Sequence, residues 1–338
     1  MAKKKASEAI QQGAGPGRVR AMVQMGLYED DCGVLDDAPP LPDLSRLAAA
    51  RPALPVPDNV VRLPVWPDEA RGVPNVALRS ALFGAIRRGP RRYMEHERVA
   101  SVEGMEVFYT GQRLDQGDLD VWEAVLHFIR KQELGKECRF TAYVILRMLG
   151  KGDDGRNREI LHKRLLRLRA NAVEVRSGRF TYIGGLIDEM FKDEKTHEYV
   201  VVANPRIKVL FERDQFTLID WAVRLELAGH PLGQWLHGFY ASHAKPYAYS
   251  VEKLHELCGS EDASIRSFKQ NLKTMLDLVK NASEKHGQAF SGTIQDGLVV
   301  VDRQPSKSQR KHLAGKAKKP ERRNGMAPVG DILKPKQK

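Results

Sequence analysis

Four side chains suited to contacting DNA bases share one face of a helix predicted over residues 262–281. At 100° per residue, Arg266, Ser267, Gln270 and Lys273 lie together on that face. An arginine can pair with both acceptors of a guanine and a glutamine with the donor and acceptor of an adenine, while a lysine suits a phosphate. The opposite face is apolar and is expected to be core: Ile265, Phe268, Leu272, Met275, Leu276 and Val279. The pattern predicts readout of base edges, with an ordinary solvated surface as the alternative.

A second predicted helix, over residues 156–170, is strongly basic. It carries six Lys and Arg residues and one acid, Glu159. Arg156, Lys163 and Arg167 lie opposite a leucine stripe. Because that face has no Asn or Gln, we expect it mainly to hold phosphates, which needs positive charge but no particular base sequence. The alternative interpretations of this face are a solvated surface and a contact with another protein.

The segment 75–86 has two interpretations. It is typical of a short amphipathic helix that packs on the first of the two folded units described below. Alternatively, residues 79–83, Arg-Ser-Ala-Leu-Phe, form a docking peptide whose Leu82 and Phe83 fill an apolar pocket on a partner protein.

Patterns typical of enzymes are absent from the sequence. It contains no GxxxxGK[ST] phosphate loop, no GxSxG and no HExxH. His237, Tyr240 and His243 suggest a DNA-nicking site with a tyrosine nucleophile and a histidine-bound metal, but a third metal ligand is missing nearby. We therefore predict a packed helix there, no catalytic residues, no metal and no cofactor.

Charge and composition limit the remaining classes. The 338 residues have a net charge of +12, and residues 303–338 alone hold twelve Lys and Arg against two acids. The tail is expected to be disordered, either simply solvated or adding nonspecific affinity for DNA. No apolar run approaches the ~18 residues of a membrane span, and three distant cysteines suit a reducing compartment. We expect a cytoplasmic protein without a membrane partner.

Between the chain ends, the same order of elements is predicted twice. The first set has helices over 118–132, 141–150 and 156–170, then a hairpin of strands 173–176 and 179–183 around Ser177-Gly178. The second set has a long helix opened by Thr217 and reaching about His243, with a break near Gly229 and Pro231. Helices over 250–259 and 262–281 and a hairpin around Asp296-Gly297 complete it.

The two sets can be overlaid on each other. Thr141 and Ser250 differ by 109 positions, as do Gly150 and Gly259, and the leucines of the basic helix match the next stripe at an offset of 107. Three helices followed by a hairpin form a winged helix-turn-helix, whose third helix enters the major groove. The predicted fold class is α+β, with two tandem winged helix-turn-helix domains and disordered N- and C-terminal tails. The predicted segments are a Pro-, Gly- and acid-rich region over 1–58, a linker with a short helix over 59–100, winged-helix domains over 101–214 and 215–303, and a basic tail over 304–338.

Three longer segments carry a family resemblance. They are Gly72-Val-Pro-Asn75 with Leu78-Arg-Ser-Ala-Leu-Phe83, then residues 109–122 (YTGQRLDQGDLDVW), then residues 235–246 (WLHGFYASHAKP). In these segments, and over about residues 60–285, the chain resembles the TrfA-type replication initiators of IncP plasmids, within the iteron-binding Rep family.

The resemblance implies partners that spacing alone does not. Proteins of this family bind repeated sites, the iterons, in double-stranded origin DNA and help to melt an adjacent AT-rich element. They bring in the host replicative helicase and sliding clamp, and pass between an inactive homodimer and an active monomer. The family's clamp-binding peptide ends in Leu-Phe, which carries over to Leu82 and Phe83, whereas Arg79 stands where such peptides favour Gln.

The leading hypothesis is a non-enzymatic plasmid replication initiator. A transcriptional or partition regulator with the same tandem winged helices is the alternative among binding proteins. A relaxase or integrase-like nicking enzyme is the alternative among enzymes.

Overall fold

The computed structural model describes residues 61–87, 89–177, 180–196, 198–212 and 214–317. The predicted disordered region, residues 1–58, lies outside these described residues, as does the tail from residue 318 onwards. The described residues all belong to one compact unit that starts at Asn59.

Residues 61–115 form part of the folded core, so the prediction of a linker over 59–100 is wrong. The segment contains β1 (Ala70–Pro74), α1 (Asn75–Leu78), β2 (Phe83–Gly84), β3 (Tyr93–Val99), β4 (Met105–Gln112) and β5 (Leu114–Asp115). β1 pairs antiparallel with residues 216–220, and β2 pairs parallel with β5. These pairings satisfy the backbone groups of a segment whose composition alone resembled a connection.

The next helices follow the predicted pattern. α2 (Gln116–Ile129) opens with a capping box in which Asp115 accepts the N–H of Asp118 at 2.8 Å and Asp118 accepts that of Asp115 at 3.0 Å. β6 (Glu137–Thr141), α3 (Ala142–Met148) and α4 (Gly155–Arg169) follow. These α-helices agree with those predicted over 118–132, 141–150 and 156–170.

The hairpin over 173–183, predicted as the wing of the first unit, is instead part of a larger sheet. β7 (Ala172–Ser177) and β8 (Phe180–Gly184) do pair, but β7 also pairs with β4, giving a four-stranded sheet in the order β3-β4-β7-β8. The following strands, β9 (Glu189–Lys192) and β10 (Glu198–Val202), form the sheet β6-β10-β9. β10 is therefore the strand that returns beside β6. The sequence did not predict this pairing, because strand partners distant in sequence leave no local signal.

The second half begins with a strand where a helix was predicted. A 3₁₀ helix (Pro205–Phe211) leads into β11 (Phe216–Asp220), so Thr217 opens no helix. α5 (Trp221–Glu226) begins after Asp220, whose carboxylate accepts the N–H of Val223, and α6 (Pro231–Ala241) begins past the predicted break. Residues 216–220 pair with β1 instead, and that long-range pairing overrides their helical spacing.

The remaining elements complete the fold. β12 (Tyr249–Ser250), α7 (Val251–Leu257), α8 (Ile265–Lys285), β13 (Phe290–Gln295) and β14 (Leu298–Arg303) form a unit with the sheet order β12-β14-β13. α9 (Lys307–Ala317) lies in the tail that was predicted to be disordered. The prediction of disorder is therefore wrong for those residues. The side chain of Gln309 anchors α9 by donating to the carbonyl of Ala241 at 2.8 Å.

The repeated sequence positions have matching conformations. Thr141 caps α3 and Ser250 caps α7, each accepting the N–H three residues on. Gly150 and Gly259 follow those helices with φ of +64° and +60°, the left-handed region that glycine adopts without a Cβ clash. The two three-stranded sheets also share one strand order. The described residues thus form a mixed α and β fold with two similar halves.

A buried charged group joins the halves. Arg224 of α5, which is 1% exposed, lies 2.7 Å from Asp120 and 3.2 Å from Glu123 on α2. Gln234 of α6 donates to Asp120 at 3.0 Å. Each half has its own apolar core, one around Trp122 and one around Trp235. Among the described residues, no helix has the length and apolarity needed to cross a membrane.

Candidate nucleic-acid interface

The face of α8 predicted to read bases is exposed to solvent. Arg266, Ser267, Gln270 and Lys273 are all exposed, as is Lys269 between them. Within the described part of the chain, none of these three cationic side chains has an ion-pair partner. Three positive charges and an amide thus lie on one side of the first two and a half turns of α8.

The opposite face of α8 holds the helix in place. Phe268, Leu272 and Val279 are completely buried, as the spacing predicts. Ile265 is 38% exposed, so its assignment to the core is wrong. As the first residue of the helix after the N-cap Ser264, it lies beyond the edge of the packed stripe.

A hairpin stands beside α8. β13 and β14 pair in register from Phe290–Arg303 to Gln295–Leu298, and β13 packs on the helix. At the turn, Asp296 has φ +50° and Gly297 φ +79°, the pair of positive angles of a type I′ turn. The turn therefore matches the hairpin predicted from Asp296-Gly297.

The basic helix α4 is only partly available to a ligand. Its leucines at 161, 165 and 168 are buried, and Arg156 and Lys163 are exposed, as predicted. Lys163 forms an ion pair with Glu159 at 2.6 Å, and both side chains are more than 60% exposed. Water screens such a pair, so the lysine can exchange Glu159 for a phosphate at little cost.

The assignment of Arg167 to the DNA-contacting face is corrected by the structure. Its guanidinium is 16% exposed and lies 2.7 Å from Asp118, which is completely buried. Arg164 lies one turn away and contacts Asp115 at 2.5 Å and Asp118 at 3.0 Å. Because a buried carboxylate needs a cation close by, these arginines hold α4 against the start of α2.

The charge state of Asp115 follows from the arginines around it. Burial by itself would raise the pKa of Asp115, but the guanidinium groups of Arg164 and Arg91 hold that pKa below its ordinary value. Asp115 is therefore ionised at neutral pH. The sequence carried a partial signal for the cluster, since Asp115 and Asp118 have capping-box spacing and arginines recur at 164 and 167.

Leu82 and Phe83 lie in the core, as the packing alternative predicted. They are 3% and 0% exposed, and the ring of Phe83 stacks on Trp122 with centroids 5.7 Å apart. The Nε of Arg79 donates a hydrogen bond to the hydroxyl of Ser242 at 2.9 Å and so fixes the segment to the end of α6. In this conformation neither side chain of the candidate docking pair is available to a partner.

The histidine and tyrosine group on α6 is part of the packed interior. Burial lowers the pKa of His237 to about 3 and that of His243 to about 4, so both imidazoles are neutral at pH 7. Burial also raises the pKa of Tyr240, which packs against Phe239 and Phe290. Among the described residues, no group of three His, Cys, Asp or Glu side chains is arranged to hold a metal ion.

Comparison with known proteins identifies the family. A protein-family model described as TrfA protein matches residues 58–303, well over half of the chain. The chain belongs to the TrfA family. The plasmid replication initiator protein TrfA of Escherichia coli is 27% identical over 246 residues, which make up 70% of this chain and 63% of that protein. The match thus spans less than two thirds of the length of this TrfA relative.

Solved structures of two other proteins are similar in outline. A crystal structure of domains 2 and 3 of RctB aligns with 68% of this chain and 97% of its own, with a TM-score of 0.44 and 13% identity. A crystal structure of the Pi initiator protein in complex with iteron DNA aligns with 56% of this chain and 91% of its own, with a TM-score of 0.41 and 11% identity.

Proposed function

We propose that this chain is a non-enzymatic plasmid replication initiator. It binds iteron repeats in double-stranded origin DNA, promotes opening of the adjacent duplex and brings in host replication proteins. One observation carries the proposal: a member of the TrfA family presents an Arg, Gln and Lys face on α8 that is exposed and, within the described residues, free of ion pairs.

The proposed DNA-binding units are two tandem winged helices. The first consists of α2, α3 and α4 with β9 and β10 as its wing, and the second of α6, α7 and α8 with β13 and β14 as its wing. The proposed boundaries remain 101–214 and 215–303. The matching strand orders and the matching caps at Thr141 and Ser250 support this assignment.

The two third helices have different proposed roles. α8 reads base edges through Arg266 and Gln270, with Ser267 and Lys273 beside them. α4 holds phosphates through Arg156 and Lys163, since its other inner arginines are already bound to buried carboxylates. Several chains bound side by side on repeated sites would strain the duplex, so binding free energy could open an AT-rich neighbour without nucleotide hydrolysis.

Protein partners complete the proposal. The replicative helicase and the sliding clamp would bind exposed surfaces, because Leu82 and Phe83 are buried in this conformation. A homodimer in equilibrium with a monomer is also proposed.

The test is footprinting of the purified chain on the plasmid that encodes it, combined with replication of a minimal plasmid. We expect regularly spaced protection over direct repeats, and loss of both protection and replication in a Gln270→Ala, Arg266→Ala double variant. Protection confined to one promoter, with replication unaffected by deletion of the gene, would overturn the proposal in favour of a transcriptional regulator. Strand cleavage in divalent metal would favour a nicking enzyme.

A further inference from the structure

An exposed arginine lies in the cleft between the two halves. The side chain of Arg87 is 88% exposed. It lines one side of the cleft together with Arg156 and Asn157, at the start of α4. It lines the other side together with Asp262 and Ala263, just before α8. Arg87 thus lies between the N-terminal ends of the two proposed recognition helices.

The backbone that carries Arg87 is held on both sides. Ile86 is 3% exposed, and the N–H of Ala85 donates to the carbonyl of Cys258 at 2.7 Å. Arg91 donates to the carbonyl oxygen of Arg87 at 2.9 Å and forms an ion pair with the buried Asp115. The backbone at Arg87 is therefore anchored to the fold, which lowers the backbone entropy lost when its side chain binds a ligand.

The ionic contact of Arg87 is weak. Its guanidinium lies 3.8 Å from Asp262, at the outer limit of an ion pair and open to water. The neighbouring acid, Glu261, is already paired with Arg113 at 2.8 Å. On the other side of the cleft, Asp154 caps α4 by accepting the N–H of Asn157 at 2.8 Å. Arg87 is thus a cation of the cleft that can be released to a ligand with little loss.

Duplex geometry determines what this cation would meet. Tandem helix-turn-helix units on one face of B-DNA place their recognition helices in successive major grooves, about one helical turn apart. The stretch of duplex between those two contacts presents its minor groove to the protein. A narrow A·T-rich minor groove has an enhanced negative potential that attracts arginine, and its floor lacks the guanine amino group.

We propose that Arg87 enters the minor groove between the two recognition helices and selects A·T pairs there. This inference rests on the proposed function and deepens it, since it gives the binding site an A·T-rich centre that neither α4 nor α8 contacts. When DNA binds, Arg87 leaves Asp262 and contacts the base edges on the floor of the minor groove.

The experiment starts from duplexes that the purified full chain selects from a random library, so the origin sequence is not needed. The central pairs of the selected duplex are then changed from A·T to G·C, and separately to inosine·C. Inosine·C has the major-groove pattern of G·C but lacks the minor-groove amino group. Competition binding at fixed salt compares the wild-type chain with Arg87→Ala, Arg87→Lys and Arg98→Ala. Arg98 is a matched control, an exposed arginine on the outer face of the four-stranded sheet.

For the wild-type chain, we expect G·C at the centre to weaken binding about tenfold and inosine·C to bind like A·T. Arg87→Ala should bind the three duplexes alike, and Arg87→Lys should retain part of the preference because an ammonium group is more strongly hydrated. Arg98→Ala should match the wild type.

Three results overturn the inference. If a specific duplex is selected but inosine·C behaves like G·C, or if Arg87→Ala keeps the wild-type preference, Arg87 does not read this groove, and the proposed function stands. If the selection yields no preferred duplex, both the inference and the proposed function fail.

Discussion

Arginines on the two proposed recognition helices have different roles in this protein. Arg164 and Arg167 of α4 contact Asp115 and Asp118, which the fold has removed from water. Arg266 of α8 has no such neighbour within the described residues and is exposed. An arginine is therefore available for DNA only where no buried carboxylate competes for it.

Gln270 should carry base specificity. Replacing it with alanine is expected to lower affinity for an intact iteron about 10- to 100-fold, at ~1.4 kcal/mol per decade, because an adenine contact is lost. Affinity for random DNA should barely change, since phosphate contacts elsewhere are untouched. Arg266→Ala should reduce both affinities, because it also removes a charge.

Competition between iteron and scrambled duplexes at fixed salt measures the effect of Gln270→Ala, with melting temperature as the folding control. An equal loss of affinity for both duplexes would mean that α8 contacts only the phosphate backbone of the DNA.

Arg167 and Lys163 should behave in opposite ways. Arg167→Ala leaves the buried Asp118 with one arginine fewer, and we expect it to reduce the free energy of unfolding by about 3 kcal/mol. Lys163→Ala should change stability by less than about 0.5 kcal/mol but lower the salt slope of DNA binding by about 0.9. Urea unfolding and salt-dependent binding distinguish them. If Arg167→Ala were as stable as the wild type, Asp118 would not depend on it.

At the scale of elements, the segment before β3 acts as part of the core. Leu82→Ala with Phe83→Ala should lower the free energy of unfolding by at least about 3 kcal/mol, since a buried aromatic ring and a buried leucine both leave cavities. Loss of DNA binding would then follow from unfolding. Leu218→Ala is the control, because that leucine is 49% exposed on β11. A double variant that stays as stable as the control and loses clamp binding alone would restore the docking interpretation.

Glu123 should make the junction of the halves sensitive to pH. Burial raises its pKa to about 7 in the folded protein, despite the nearby Arg224. The folded chain binds this proton more tightly than the unfolded chain, so the contribution of Glu123 to stability should fall as pH rises from the unfolded pKa of 4.5 through about 7. The full shift corresponds to about 3 kcal/mol at ~1.36 kcal/mol per unit.

Urea unfolding of the wild type and of Glu123→Gln between about pH 5 and about pH 8 measures this contribution as the difference between the two chains. The comparison is needed because the lowered pKa values of the buried His237 and His243 give both chains an opposite slope below about pH 6.5. Glu123→Gln should remove the contribution of Glu123, whereas Glu106→Gln, which changes an exposed carboxylate on the four-stranded sheet, should leave it. An unchanged slope in Glu123→Gln would show that another group titrates.

At the scale of the whole molecule, the C-terminal residues should add affinity without specificity. Residues 318–338 contain seven Lys and Arg residues and two acids. Their deletion should lower the salt slope on random DNA by about 3 to 5 and leave the melting temperature unchanged. A variant with an uncharged Gly and Ser segment of equal length should behave like the deletion. A fall in melting temperature would instead show that these residues stabilise the folded part.

Much of the helical framework could be predicted from local residues. Thr141, Ser250 and Asp296-Gly297 act through hydrogen bonds and φ values of their nearest neighbours, so their roles can be inferred from a short window. The exposed face of α8 follows from helical periodicity alone. The same periodicity would also have placed Lys269 on that face, since it lies between Arg266 and Lys273.

The sequence by itself determined most helices of the two sets, the apolar stripes of α4 and α8, the exposed cationic face of α8 and the family resemblance. The tertiary structure decided two strand pairings, that of residues 216–220 with β1 and that of β10 with β6. It also decided that Arg167 forms an ion pair with Asp118 and that Leu82 and Phe83 are buried. Caps, turns and periodicity act within a few residues, whereas strand partners and the cation of a buried carboxylate come from distant parts of the chain. The free energy of these long-range contacts depends on how far their polar groups are removed from water, which is determined only when the whole fold has formed.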